Sequence, residues 1–133
     1  MKRYFAYGSN MDITQMVERC PQSQKIEKAE LVGYEFFINK RGFANIRQNK
    51  NKKVLGIVYE ITEEDEKELD KCEGVQFGTN TKETSPSLNA FYYVAKEIDE
   101  GSPKEGYLGK IIKAGQDNNF PEVYIDELKG WQK

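Results

Sequence analysis

Residues 3–12, RYFAYGSNMD, join an apolar and aromatic run to the start of a helical pattern. The run at residues 3–7 predicts a short buried strand. Residues 11–20 carry apolar side chains at spacings of three and four, which predicts an amphipathic helix with Asp12 as its N-cap. The expected buried face of that helix consists of Ile13, Met16, Val17 and Cys20.

Three small polar residues, Gly8, Ser9 and Asn10, separate this strand from this helix. A turn needs only one such residue, so the run of three indicates a loop whose backbone a ligand can approach closely. Successive backbone N–H groups at a strand-to-helix junction can point into one cavity, where the helix N-terminus adds positive potential. With Tyr7, the loop is a candidate site for a carboxylate or a developing oxyanion. The alternative is a tight turn with a helix cap, because Gly, Ser and Asn are ordinary turn residues.

Strand and helix patterns follow one another irregularly along the chain, which argues against a doubly wound parallel sheet. Strand patterns occupy residues 29–40, 43–48, 53–61 and 90–98, and helix patterns occupy residues 62–75, 107–118 and 121–131. We therefore expect an α+β fold in a single domain over residues 1–133. Its form would be a small mixed barrel or curled sheet of about six short strands with helices outside.

Several local signals refine these patterns. Gly33 predicts a bulge or a point of close approach within its strand. The polar residues 49–53 predict a turn between two strands. Residues 76–89 are the least apolar part of the chain and fit either a poor edge strand or a long mobile loop.

The acidic helix that begins at Thr62 carries both start and stop signals. Thr62 and Asp65 resemble a capping box. Leu69 and Cys72 are expected to face inward, and Gly74 is expected to end the helix in a left-handed conformation. Glu73 then lies at the helix end, next to a turn.

The composition favours a folded protein, with 38% hydrophobic and 32% charged residues. The formal net charge is −2 with both signs interspersed, so nothing favours nucleic acid or an anionic membrane as a partner. No apolar run approaches the ~20 residues of a membrane span. No signal peptide is expected after Lys2 and Arg3, and we expect a cytoplasmic protein.

The chain contains no histidine, which excludes Ser-His-Asp and Cys-His catalysis and histidine-based metal sites. Proton transfer must therefore use Asp, Glu, Lys, Tyr or Cys. Cys20 and Cys72 are too few for a disulfide scaffold and are read as small buried apolar residues rather than reactive thiols. No cofactor or metal signature is present.

Two further groups of side chains are candidates for chemistry. Burial of Glu73 between a cysteine and a Gly-Val step would raise its pKa toward neutrality, as a general acid/base requires. The alternative is a solvated acid, one of 22 acidic residues in the chain. Tyr92, Tyr93 and Tyr107 fall in or just after a strand that should line the core, where packing alone would account for them.

These features together resemble the gamma-glutamylcyclotransferase (AIG2-like) family. The resemblance rests on collinear segments, which are YFAYGSNM, AELVGYEFFI, GFANI, VLGIVYEI, LDKCEGV and YLGKIIKAGQDNNFPEVYIDEL. It spans most of the chain and is weak only across residues 76–90. It implies a small mixed β-barrel with flanking helices.

The resemblance also implies roles for individual residues. The loop from Tyr7 to Asn10, followed by Met11, would hold a glutamyl group, and Glu73 would be the catalytic acid/base. Tyr107 would line the pocket, as would Tyr93 or Tyr92, since the choice between these two depends on the strand register. Family members commonly carry a tyrosine after the "EG" step, but here the stretch reads FGTNTKETS, with Asn80 near that place. This difference bears on substrate identity, and residues 76–90 are a candidate lid that orders on binding.

The favoured hypothesis is therefore an enzyme that closes a γ-glutamyl group to 5-oxoproline and releases an amine or amino acid. Its implied ligand is a small γ-glutamyl compound, and the sequence is silent on oligomeric state. One alternative is a non-catalytic binding or regulatory protein that uses the same pocket. Another is an interaction module in which Glu73 and Ser9 are solvated and freely replaceable.

Overall fold

The computed structural model describes residues 1–132 as one mixed sheet with helices packed against it. The strands are β1 Lys2–Ala6, β2 Gln24–Ile38, β3 Ala44–Ile61, β4 Asn80–Ser85 and β5 Ala90–Ala95. The helices are α1 Ile13–Arg19, α2 Glu63–Cys72, α3 Tyr107–Asp117 and α4 Glu122–Lys129. Short 3-10 turns lie at Ser9–Met11 and Val75–Phe77. None of the helices in residues 1–132 has the length and apolar character needed to cross a membrane.

Strand β1 lies in the middle of the sheet, whose order is β2-β3-β1-β5-β4. It pairs antiparallel with β3 and parallel with β5. β1 has a neighbouring strand on each side, and its Phe5 and Ala6 are almost fully inaccessible to solvent. It is therefore the buried strand predicted from residues 3–7. Its chain leaves the sheet at Tyr7, directly before the Gly-Ser-Asn loop.

The α+β class is as expected from the sequence, but the strand count differs. The part of the chain that the structure describes contains five strands in an open sheet, so a closed barrel is too strong a description. The predicted turn at residues 49–53 is wrong, because the chain continues through it as the single strand β3. The prediction had a local basis, since the ladder to β2 shifts register between Val32 and Tyr34, opposite this polar segment. Gly33 lies at this change of register and has φ +91°, so the predicted bulge is present.

Residues 76–89, for which two structures were possible, supply the edge strand β4, which pairs with β5. The predicted start and stop of α2 are confirmed, but only one half of the capping box forms, because the Asp65 carboxylate accepts no hydrogen bond from the Thr62 N–H. The side chain of Thr62 accepts a hydrogen bond from the N–H of Asp65 at 3.1 Å, and Gly74 has φ +65°.

The predicted buried faces of α1 and α2 are partly wrong. Met16 and Cys20 are buried in the core, whereas Ile13 and Val17 are exposed. In α2, Leu69 is buried but Cys72 is exposed. The spacing of apolar residues identified both helices. It could not show how small a part of each short helix the rest of the protein buries.

Asn45 lies next to the turn of the β2–β3 hairpin and links this turn to the end of β5. Its buried amide donates to the carbonyls of Ala95 and Glu97 at 3.0 and 3.1 Å. Its oxygen accepts from the N–H of Ala95 at 3.0 Å. These side-chain hydrogen bonds take the place of backbone hydrogen bonds between β3 and β5. They hold the hairpin tip beside the end of β5.

We expect Asn45→Ala to lower the free energy of unfolding by about 3 kcal/mol, because buried polar groups at Ala95 and Glu97 lose their partners. Urea denaturation followed by circular dichroism measures the change. Asn51→Ala is the matched control, because this exposed side chain in the same strand makes no such bonds, and it should change stability by less than about 0.5 kcal/mol. Equal stability of the two variants would contradict the assigned role of Asn45.

Candidate functional site

A cavity of about 440 Å³ lies where β1 leaves the sheet. Its walls come from the Gly-Ser-Asn loop, α1, the β2–β3 hairpin tip, the end of α2 and the starts of β4 and α3. Residues that the sequence singled out and that line it are Tyr7, Gly8, Ser9, Asn10, Glu73, Asn80, Tyr93 and Tyr107. The fold therefore brings together side chains from both halves of the chain.

The Gly-Ser-Asn loop forms a single 3-10 turn. The N–H of Met11 donates to the carbonyl of Gly8, and the N–H of Asp12 donates to the carbonyl of Ser9, both at 3.0 Å. Among residues 1–132, the N–H groups of Gly8, Ser9 and Asn10 donate to no protein acceptor. Three successive donors at the cavity wall thus remain available to a ligand.

The side chain and carbonyl of Asn10 hold this loop in place. Its amide donates to the hydroxyl of Tyr4 at 2.9 Å. Its side-chain oxygen accepts from Gln15 at 2.9 Å and from Arg19 at 3.0 Å. Its carbonyl accepts from the hydroxyl of Tyr59 at 2.9 Å. Because Asn10 is buried and satisfied from β1, α1 and β3, the loop has little freedom to move.

Gly8 is at a point of close approach. A Cβ atom at this position would lie 3.3 Å from the Cβ of Ala44 and 3.3 Å from the hydroxyl of Tyr107. That hydroxyl accepts a hydrogen bond from the N–H of Ala44 at 3.0 Å, so neither neighbour moves freely. Lack of space, rather than backbone conformation, thus favours glycine here.

The strand register separates Tyr93 from Tyr92. Tyr93 lines the cavity, and its hydroxyl donates to Asp70 at 2.7 Å. Tyr92 is on the opposite side of β5, with its ring edge-on to Phe5 at 6.5 Å between centroids. The hydroxyl of Tyr7 donates to the carbonyl of Tyr93 at 2.6 Å. Two of the expected pocket hydroxyls are therefore already bonded to the protein.

Met11 is not in the cavity wall. Its side chain is buried in the core, 2% exposed. The sequence could not separate it from Asn10, because a 3-10 turn directs successive side chains to different sides.

Glu73 is fixed at the end of α2. Its N–H donates to the carbonyl of Leu69 at 2.8 Å, and the left-handed Gly74 then turns the chain toward Thr79, whose N–H donates to the Gly74 carbonyl at 3.1 Å. The next residue, Asn80, donates from its amide to Oε2 of Glu73 at 2.6 Å. Oε1 of Glu73 has no hydrogen-bond partner among the described residues. One carboxylate oxygen is therefore held while the other remains available.

Burial raises the pKa of Glu73 above its ordinary value. The charge of Arg19 and the hydrogen bond from Asn80 both act in the opposite direction. Burial also raises the pKa values of Tyr4, Tyr7, Tyr93 and Tyr107, and the charge of Glu73 contributes to each. A carboxyl that exchanges protons nearer neutrality, surrounded by protonated phenols, fits general acid/base chemistry.

Sequence reasoning did not identify the polar and charged residues Gln15, Arg19, Asn39, Arg41, Lys71 and Thr79 as part of the wall. One signal was available. Gln15 and Arg19 are four residues apart on the helix that follows the loop, so they share a face. No comparable signal exists for Arg41, which a long hairpin brings to the site. In residues 1–132 there is no group of three or more His, Cys, Asp and Glu side chains placed to hold a metal ion.

Comparison with known proteins supports the fold and a family. A model of the AIG2-like family matches residues 53–128. A curated gamma-glutamylcyclotransferase of Mus musculus is 24% identical over 144 residues, covering 95% of this chain and 76% of the mouse protein. The family match includes both Glu73 and Asn80.

Solved structures share the architecture along nearly the whole chain. One described as gamma-glutamyl cyclotransferase has a TM-score of 0.85 at 23% identity, covering 98% of this chain and 88% of that one. An uncharacterized protein from Homo sapiens has a TM-score of 0.82 at 24% identity, with the same coverage of 98% and 88%. At these identities the likeness establishes the fold, and the α+β expectation is confirmed.

The hydrogen bond from Asn80 gives a test of how the pKa of Glu73 is set. Asn80→Ala removes a donor to the ionised carboxylate, so the pKa of Glu73 should rise further above its ordinary value. Asn80→Asp places a second carboxyl at the same position and should raise the pKa of Glu73 more than Asn80→Ala does. A ¹³C NMR titration of the Glu73 side-chain carboxyl measures both shifts without requiring any activity.

Thr84→Ala is the control, because Thr84 is exposed on the same strand. It should leave the Glu73 titration unchanged. A Glu73 titration in Asn80→Ala that matches the unsubstituted protein would show that the 2.6 Å contact has no electrostatic role.

Proposed function

The chain belongs to the AIG2-like family, and we propose that it is a γ-glutamyl cyclotransferase. It would close the γ-glutamyl group of a small substrate to 5-oxoproline and release an amine or amino acid. The observation that carries this proposal is the pairing, in one cavity, of a carboxyl with a raised pKa and a loop with free N–H groups. The similarity to a protein named gamma-glutamylcyclotransferase supports the reaction class.

The reaction is an intramolecular transamidation. The α-nitrogen of the substrate attacks its own γ-carbonyl carbon, one C–N bond forms, and the γ-amide C–N bond breaks. Two protons pass overall from the α-ammonium to the departing nitrogen, so no water, oxidant or external nucleophile is consumed. The protein need only hold the reactive conformer and move protons, which suits a chain without histidine.

Glu73 is the proposed proton carrier. With Oε2 held by Asn80, the free Oε1 would take the two protons one after the other from the α-nitrogen and pass each to the leaving nitrogen. The raised pKa brings the two protonation states closer in free energy near neutral pH, as both half-steps require.

The Gly-Ser-Asn loop is the proposed glutamyl site. N–H groups of Gly8, Ser9 and Asn10 that lack protein acceptors would bind the substrate carboxylate or the oxyanion of the tetrahedral state. Tyr107 would close one side of this site, since its hydroxyl lies against Gly8. The cavity of about 440 Å³ matches a ligand of dipeptide size.

Glu73→Gln tests the proposed reaction directly. Purified protein would be incubated with a panel of γ-glutamyl amino acids and amines, and 5-oxoproline would be measured by mass spectrometry. We expect Glu73→Gln to lower turnover by ~10²-fold or more, because the amide keeps the shape but cannot carry the proton. Its affinity for 5-oxoproline, measured by calorimetry, should be largely retained.

Glu64→Gln is the matched control, an exposed glutamate of the same helix, and should retain full turnover. Normal turnover by Glu73→Gln would exclude Glu73 as the acid/base. Binding of 5-oxoproline without turnover of any panel member would instead favour a non-catalytic binding protein that uses the same pocket.

Gly8→Val tests the loop. The added Cβ would already lie 3.3 Å from both the Cβ of Ala44 and the hydroxyl of Tyr107, so affinity for 5-oxoproline should fall by at least about tenfold. Gly109→Ala, at a helical glycine with open space around it, should bind normally. Thermal unfolding separates loss of binding from loss of fold, and a folded Gly8→Val variant with unchanged affinity would place the ligand elsewhere.

A further inference from the structure

Helix α2 and its C-cap present three acidic side chains on one face. Glu66, Asp70 and Glu73 follow one another at spacings of four and three residues, so they lie one above the other on that face. Glu66 is buried, and Asp70 and Glu73 are half-buried. Like charges at these spacings repel one another, and they do so more strongly away from water. This face therefore needs positive or hydrogen-bonding partners from the structure packed against it.

Strand β4 supplies these partners. Asn80 and Lys82 are two residues apart in β4, so their side chains project from the same face of the strand. The Lys82 ammonium lies 2.6 Å from Oε2 of Glu66 and 2.9 Å from Oδ1 of Asp70. Asn80 donates to Oε2 of Glu73, one turn further along the helix. Within residues 1–132, all the hydrogen bonds that join α2 or Glu73 to β4 come from these two β4 side chains.

The Lys82 side chain is held on several sides. In the β4–β5 ladder it is directly opposite Tyr93, whose hydroxyl donates to the same Asp70 carboxylate at 2.7 Å. Its ammonium also lies 5.0 Å from the centre of the Phe91 ring. Lys82 is not among the cavity-lining residues that the structure describes. It therefore acts from outside the cavity rather than by touching a ligand.

Strand β4 has few other constraints near Asn80. It is an edge strand, with β5 as its only neighbour in the described sheet. The chain reaches it from α2 through the short 3-10 turn Val75–Phe77. The glycines that flank this turn are both left-handed, Gly74 at φ +65° and Gly78 at φ +73°. The position of the Asn80 amide thus depends on how β4 is held against α2.

We propose that Lys82 is a positioning residue for Glu73. By bridging Glu66 and Asp70 it holds β4 against α2, and it thereby keeps the Asn80 amide on Oε2 of Glu73. The inference rests on the proposed function for the catalytic task of Glu73, whereas the positioning itself is a property of the fold. Without Lys82 the two bridged carboxylates lose their shared counter-charge, so β4 moves away and Glu73 loses its donor.

Several other groups face Glu73 from the surrounding elements. They are Lys71 and Cys72 of α2, Arg19 of α1, Tyr4 and Tyr7 in and after β1, Tyr93 of β5 and Tyr107 of α3. The charge of Arg19 and the hydrogen bond from Asn80 lower the pKa of Glu73, and Lys82 is not among the groups that lower it directly. An effect of Lys82 on Glu73 must therefore pass through Asn80.

The first test is the titration of Glu73 in Lys82→Met, followed by ¹³C NMR of its side-chain carboxyl. Loss of the Asn80 donor should raise the pKa of Glu73, in the same direction as Asn80→Ala. Lys82→Arg retains both ion pairs and should titrate like the unsubstituted protein. Lys2→Met is the matched control, because Lys2 pairs with the same Glu66 at 3.1 Å from β1 instead of β4. It should leave the titration unchanged.

A double variant separates positioning from a direct effect of the lysine charge. If Lys82 acts through Asn80, adding Lys82→Met to Asn80→Ala causes no further change in the Glu73 titration. An unchanged titration in Lys82→Met, or a rise that adds in full to that of Asn80→Ala, overturns the positioning role. If Lys82→Met does not fold, Lys82→Gln takes its place in both tests, since its amide can satisfy one carboxylate but does not supply the charge that bridges two.

Turnover distinguishes this inference from the proposed reaction. With γ-glutamyl substrates, the pH at which kcat is half-maximal should shift in Lys82→Met in parallel with the Glu73 titration, and it should stay in place in Lys2→Met. If no substrate is turned over but the titration depends on Lys82 through Asn80, the reaction is wrong and the positioning role stands. If 5-oxoproline forms and the titration is independent of Lys82, the reaction stands and the positioning role is overturned.

Discussion

The hydrogen bonds of Asn10 are the interaction on which the candidate site depends. A loop whose own N–H groups stay free cannot be stabilised through them, so it must be held through its side chains and carbonyl groups. Asn10 provides that hold, since β1, α1 and β3 each contribute a partner to its side chain or carbonyl. Buried polar groups are costly when unpaired, and the hydrogen bonds to the side chain and carbonyl are what permit asparagine at this depth. The rigidity of the loop thus follows from satisfying one buried residue.

Arg19 connects this loop to Glu73, the proposed acid/base. Its guanidinium donates to Asn10, and its charge opposes the burial that raises the pKa of Glu73. Asn80 opposes burial from the other side of the carboxylate. The protonation of Glu73 is therefore a balance between desolvation and two specific groups. Since one of these groups also holds the loop, a change at Arg19 would disturb loop geometry and proton affinity together, whereas a change at Asn80 acts on the carboxylate.

The sequence predicted those parts of the fold that are set by local chemistry. The strand and helix around residues 8–10, the cap at Thr62 and the left-handed Gly74 follow from neighbours in the chain, and all are present. The resemblance named Glu73 and Tyr107, which lie in the same cavity wall. Arg41 and the Asn80–Glu73 contact were beyond reach, because they depend on a long hairpin and on the β4–β5 pairing. The exposure of Cys72 was missed for the same reason, since helix periodicity does not show which face a distant strand covers.

In the proposed reaction, the protein would supply proton transfer and positioning rather than a nucleophile. The reacting nitrogen would come from the substrate, so the protein's chemical contribution reduces to Glu73, Asn80, Arg19 and the loop. The hairpin tip supports another side of the same cavity, since Phe43 packs edge-on to Tyr107 at 5.3 Å between ring centroids. On this view the strand-to-helix loop would bind the glutamyl group, while the β2–β3 hairpin tip would hold Tyr107 beside it.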